Sequence, residues 1–289
     1  DPDHAALALD AAYRYSEVAP DAEHALHMPS HIFVALGMWD EVISSNIASY
    51  EASVARMKAK ELDNDARGYH AFKWLLYGYL QKGEFEKAKE LTYDMKQYCD
   101  EKPSSRARAH YIMMKADYLA ESGNWTDALA NDDVSLDQLN LLVQGVQVFT
   151  QGMSGNANGN KDSLEVAINK LNTMQSKAQT QMVMGDPKMC SGVSRYLQPP
   201  SINEVNSIKV LEYELRASLA LLNKDEKTAE KWMREATTIE ETTAYTYGPP
   251  NIVKPSFEMY GEWLLSKDRK QEAKEQFEKV LERAPKRRL

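Results

Sequence analysis

The chain has 289 residues, 43% of them apolar, which is enough to bury a sizeable core as one elongated array or as two compact domains. A net charge of -8 and a pI near 5.4, with Lys and Arg spread among acidic neighbours, exclude a nucleic-acid-binding footprint. The basic run Lys286-Arg287-Arg288 reads as a solvated terminus. No apolar run approaches the roughly 20 residues that span a bilayer, and no charged-then-apolar leader opens the chain, so it reads as soluble with no membrane span.

In chain order, a partial helical unit covers residues 1–20. Starting at Asp1 in mid-pattern, it points to an upstream part removed by processing. Helix hairpins are expected over 21–62, 66–100 and 105–135, turning at Gly37, Gly83 and Gly123, with Val42, Ala88 and Ala128 each five residues beyond the turn. An irregular repeat covers 136–184, in which GMSGNANGNK reads as a flexible Gly/Asn turn between two helices. Residues 185–202 read as a loop, because their Pro and Gly forbid a continuous helix. Hairpins follow over 203–244, turning near Lys224 with Ala229 five residues on, and over 255–285, turning at Ser266–Arg269. A second loop, Tyr247–Pro255, separates these two units. Cys99 and Cys190 form no CxxC pair and read as free thiols, with one bridge available in an exported chain.

Four or five hairpins in one register resemble the tetratricopeptide repeat. The resemblance implies an all-α fold: a right-handed superhelical array of antiparallel helix hairpins, an α-solenoid with divergent repeats, treated as a single domain over 1–289. Turns 46 residues apart (Gly37 to Gly83) and 40 apart (Gly83 to Gly123) exceed the family's usual spacing of about 34, so helices or loops are longer here. HALHMPSHIFVALGMWDEVISSN, YHAFKWLLYGYLQKGE and YGPPNIVKPSFEMYGEWLL further resemble a bacterial tetratricopeptide-repeat family with a His-Met-Pro-Ser-His segment and no firmly established activity. Where that family commonly carries His in the last repeat, this chain has Phe257, followed by the expected Glu258.

Such arrays line a concave face with the first helix of each pair. In the family's frame the ligand-contact positions hold His24, His27 and His31, then His70, Lys73 and Tyr77, then His110, Met113 and Asp117, and towards the C-terminus Glu214, Glu258 and Glu262. One end is rich in imidazole and the other in carboxylate. His24, His27 and His31 fall at i, i+3 and i+7, and with His70 they form a candidate metal set, for which zinc or copper would suit nitrogen donors. Pro29 should kink that helix. Glu258 and Glu262, with Glu214, read as acids on a solvated helix face, with Lys254 and Tyr247 close by in sequence. Met182, Met184 and Met189 beside Cys190 make a soft-metal pattern. Trp39, Trp74, Trp125, Trp232 and Trp263 read as packing between helices.

No GxGxxG, GxxxxGK[ST] or GxSxG occurs, so no catalytic residue is assigned and no cofactor is expected. The reading is a non-enzymatic scaffold that binds a peptide, a protein segment or a small polar ligand in its groove. The alternative is a metal-binding protein or metal-dependent enzyme using the histidines. Replacing His27 and His31 together is expected to weaken ligand binding and leave thermal stability nearly intact.

Overall fold

The structure is a computed structural model that describes residues 2–184, 200–244 and 248–289. Among them there is no strand, and no helix is long and apolar enough to cross a membrane. Met189 and Cys190 of the soft-metal pattern, most of the loop 185–202, and Tyr247 lie outside the described residues.

Two compact units emerge: Asp1–Gly123 with Thr246–Pro250 and Glu278–Leu289, and Asn124–Tyr245 with Asn251–Phe277. The first holds α1 (Leu9–Val18), α2 (Glu23–His27), α3 (Pro29–Ala35), α4 (Trp39–Ala59), α5 (Tyr69–Lys82), α6 (Phe85–Glu101) and α7 (Ser105–Ser122). The second holds α8 (Leu141–Ala157), α9 (Lys161–Met184), α10 (Ile202–Leu222), α11 (Glu226–Thr242) and α12 (Ser256–Ser266). It also holds the start of α13 (Lys270–Arg283).

Successive helices pack as hairpins, so the all-α class and the hairpin construction expected from periodicity are present. The turns are those the sequence marks. α5 ends at Gly83, whose φ of 73° is left-handed, and its N–H reaches back to Leu80 O. The chemistry of helix starts recurs: Ser104, Asn140 and Asp225 accept the N–H of Ala107, Val143 and Thr228, and Ser201 with Glu204 closes a capping box on α10. Leu76, Leu80, Ala88, Met95, Ile112 and Leu119 fill the first unit. Phe149, Leu211, Leu215, Ala229 and Leu264 fill the second.

Replacing Gly83 with Ala should cost about 1 kcal/mol, because a Cβ strains the left-handed cap and presses on the Arg288 guanidinium. A melting temperature unchanged from the parent would contradict this.

Two local expectations fail for identifiable reasons. The Gly123 hairpin has no second α-helix: a short 3-10 turn, Ala128–Asn131, stands in its place. Asp127 caps Leu129 N–H there, and the Asn131-Asp132-Asp133 run that follows favours turns over helix. The Gly/Asn segment is not a turn over most of its length, because α8 continues through Gly152 and Gly155 to Ala157. Gly152 lies against the Leu215 side chain, so its missing Cβ serves close helix packing.

Candidate functional site

The expected kink falls at Met28: α2 stops at His27 and Pro29 opens α3 at its first position, where proline lacks no needed N–H. This break turns His27 inward. His27 is 3% exposed, and its Nδ1 lies 2.7 Å from Asn46 Oδ1 on α4. The Asn46 amide nitrogen is committed to Val42 O at 2.7 Å, so Oδ1 faces the ring and accepts, which puts the His27 proton on Nδ1. Nε2 is then a buried lone pair, and it has no hydrogen-bond partner.

Two further imidazoles face His27. The His31 ring centroid lies 5.0 Å away and that of His70, on α5, 4.6 Å, both edge-to-face. One ring nitrogen from each of the three falls within 4.8 Å of the other two. Trp74 closes one side, 4.4 Å from His31 and 5.0 Å from His27. Burial, with the neighbouring imidazoles, pushes His27 and His70 down to about 4, and burial lowers His31 as well. All three are neutral at pH 7.

His24 is exposed and stands outside this trio. His110 does too, its Nδ1 donating to Arg106 O at 2.8 Å. The acceptance of His27 by Asn46 went unread in the sequence, because that partner lies 19 residues away on the next helix.

A second set of predicted residues lies further along α5 and α7. Lys73 pairs with Asp117 at 3.5 Å, and Asp117 is 1% exposed with neither carboxylate oxygen hydrogen-bonded. Burial raises Asp117 to about 6 against the pull of Lys73. Tyr77 donates no site to solvent: it is 2% exposed and its hydroxyl accepts from Arg287 at 2.8 Å. Arg287 also pairs with Glu121 at 2.6 Å, both side chains being almost fully buried. Around it, Arg288 N–H donates to Gln81 Oε1 at 2.8 Å and Trp39 Nε1 donates to Lys286 O at 3.2 Å. Of the basic run, Arg287 is therefore buried and not solvated, whereas Lys286 and Arg288 remain exposed. An arginine with five donors finds two acceptors converging in the first unit, which offsets its desolvation.

Asp117 gives a signed prediction. A carboxyl whose folded pKa is raised adds stability that is present below about pH 4 and lost as pH rises through about 6. Asp117→Asn should thus gain about 3 kcal/mol at pH 8 relative to the parent and nothing near pH 3.5. Denaturant melts at the two pH values check this, and equal effects at both would contradict it.

In the second unit Glu214 and Glu258 are buried, 1% and 6% exposed, and only Glu262 is open. The expected solvated acidic face is corrected to that extent. α10 and α12 pack on each other and bring these residues inward. Glu240 on α11, which periodicity did not single out, joins them and accepts from Ser256 N–H at 2.7 Å and Ser256 Oγ at 2.6 Å. Lys254 pairs with Glu258 at 3.4 Å and Glu262 at 2.5 Å. Burial first, then Glu240 and Glu258, hold Glu214 well above the usual carboxylate range. Both its oxygens lack a hydrogen-bond partner. Met113 is buried core of the first unit, and Phe257 is buried in the second.

Residues 255–287, which cover α12 and α13, match the family model described as a tetratricopeptide repeat. That hairpin is similar to one such repeat. No curated protein and no solved structure matches the chain. The remaining hairpins stand on their own geometry.

Proposed function

We propose that the chain is a non-enzymatic helical-repeat scaffold that binds a short basic peptide segment on the face of its first unit carrying Trp39, Tyr77, Gln81 and Glu121. One observation carries this reading: the chain's own residues Lys286–Arg288 are held there through main chain and side chain together. Side chains projecting from helices grip an irregular segment by its backbone N–H and C=O, and an arginine enters a carboxylate-lined recess. Those are the elements of peptide recognition, in which main-chain bonds give affinity and a buried anchor gives selectivity. The similarity of 255–287 to a repeat that commonly serves protein interaction supports the same reading. Kinship with the bacterial family carrying the His-Met-Pro-Ser-His segment is part of it. A small polar ligand in place of a peptide is the competing class.

The test uses a chain ending at Arg283 and a fluorescein-labelled peptide with the sequence of residues 284–289. Anisotropy should report saturable binding that Glu121→Gln weakens at least about tenfold, given the 1.5–3 kcal/mol of a hydrogen bond to a charged group. A peptide with both arginines replaced by alanine should fail to compete. Absence of saturable binding, or equal competition by the alanine peptide, would contradict the reading.

A further inference from the structure

We propose that His27, His31 and His70 form a binding site for one divalent transition-metal ion of the nitrogen-preferring kind, with zinc as its reference ion. The inference goes beyond the scaffold reading and does not rest on it. Four observations carry it.

First, three imidazole nitrogens from α2, α3 and α5 lie within 4.8 Å of one another: His27 and His31 are neighbours four residues apart, and tertiary packing adds His70 from α5. Second, His27 holds a buried Nε2 lone pair with no partner, an arrangement that is costly unless something accepts it. A metal ion is a lone-pair acceptor. Third, Asn46 fixes the His27 tautomer and ring plane through Nδ1, and is itself held by Val42 O. Orientation of a ligating histidine by a carbonyl acceptor behind it is how metal sites are built. Fourth, the ring centroids at 5.0 and 4.6 Å from His27 are close to the roughly 5 Å that two imidazoles adopt on one tetrahedral ion with bonds of about 2.0–2.1 Å.

Binding would still draw the nitrogens in to roughly 3.3 Å apart, the spacing set by those bond lengths at a tetrahedral angle. His31 is half-buried and His70 exposed, so their side chains can rotate to close that gap while His27 stays anchored. Three nitrogen donors with His70 on the open side leave a fourth coordination position facing solvent. His24, outside the trio, is no ligand.

The experiment uses the full chain, purified without a histidine tag and stripped with chelator. Zinc chloride is titrated at pH 7.5 by calorimetry, and cobalt(II) absorption in the visible range reports coordination geometry. The expected result is one zinc ion per chain and intense tetrahedral cobalt bands. His31→Gln and His70→Gln should each lower zinc affinity at least about 100-fold and abolish the bands, and His24→Gln should change neither. Zinc should raise the melting temperature of the parent and of His24→Gln but not of the other two, whose circular dichroism confirms that they fold. Substoichiometric binding, or retained affinity in the double variant His31→Gln/His70→Gln, would overturn the proposal. Loss in His24→Gln equal to that in His31→Gln would overturn the ligand set.

Discussion

Acidification from pH 7 towards pH 4, with chelator present, is expected to loosen the first unit and to spare the second. All six histidines of the chain lie in the first unit. Burial lowers His27, His70 and His110 to about 4. A histidine whose folded pKa is depressed stays neutral while the unfolded chain takes up its proton, so stability present above about 6.5 is lost as pH falls towards 4. His27 and His110, the two well shielded, contribute roughly 3 kcal/mol each at the lower end, whereas exposed His70 is discounted for solvent screening. Asp117 works in the opposite sense and returns about 3 kcal/mol over the same fall, so the first unit loses about 3 kcal/mol net. In the second unit, Glu214 becomes easier to accommodate as it protonates. Hydrogen exchange, corrected for the intrinsic pH dependence, should show protection falling in α5 and α7 and holding in α10 and α11. Equal loosening of all four helices would contradict this assignment.

The largest single-residue effect is expected at Arg287. Its removal takes the Arg287 cation from the buried Glu121, which also accepts from Gln81 Nε2 at 3.1 Å, and one donor from Tyr77, and breaking such a buried pair costs about 3–5 kcal/mol. Arg287→Ala should therefore lower stability by that amount in a denaturant melt. Adding Glu121→Gln should recover much of it, because the stranded charge is gone, so the two substitutions are strongly non-additive. A solvated tail would instead give effects below 0.5 kcal/mol for either change. The outcome separates a segment that is gripped from one that merely lies nearby.

His27 itself calls for a revised expectation. Replacing it together with His31 is expected from sequence to leave stability nearly intact, but at 3% exposure, bonded to Asn46, His27 is part of the core. His27→Ala should cost about 2–3 kcal/mol by stranding the Asn46 carbonyl and opening a void. Metal and ligand assays are for that reason placed on His31 and His70.

What the sequence made legible follows from periodicity. Turns at Gly37, Gly83 and Gly123 and near Lys224 and Asp268 each have a residue at positive φ, a local demand that glycine or a short polar run advertises. Small residues at Val42, Ala88 and Ala229 are wholly buried, as interlocking helices require. The convergence of His27, His31 and His70 was half legible: spacing put the first two on one side, and repeat register added the third. Pro29 appeared as damage to the ladder, yet by splitting α2 from α3 it lets His27 and His31 face the same point. The role of Arg287 was not legible at all, since it pairs with Tyr77, 210 residues earlier in the chain. Local patterning carries no information about a contact that only tertiary folding creates. Nor could it distinguish the buried Glu214 from the open Glu262, because burial there depends on which neighbours, α11 and the segment before α12, cover each carboxylate.

Whether the first unit grips a short basic segment is tested by photo-crosslinking. A peptide with the sequence of residues 284–289, carrying a photoreactive group in place of the Arg288 side chain, is irradiated with the chain ending at Arg283. Mass spectrometry should locate the crosslink on α5 near Gln81 and Gly83, and unlabelled peptide should suppress it. Crosslinks scattered over both units, or unaffected by competitor, would contradict a grip on this segment by the first unit.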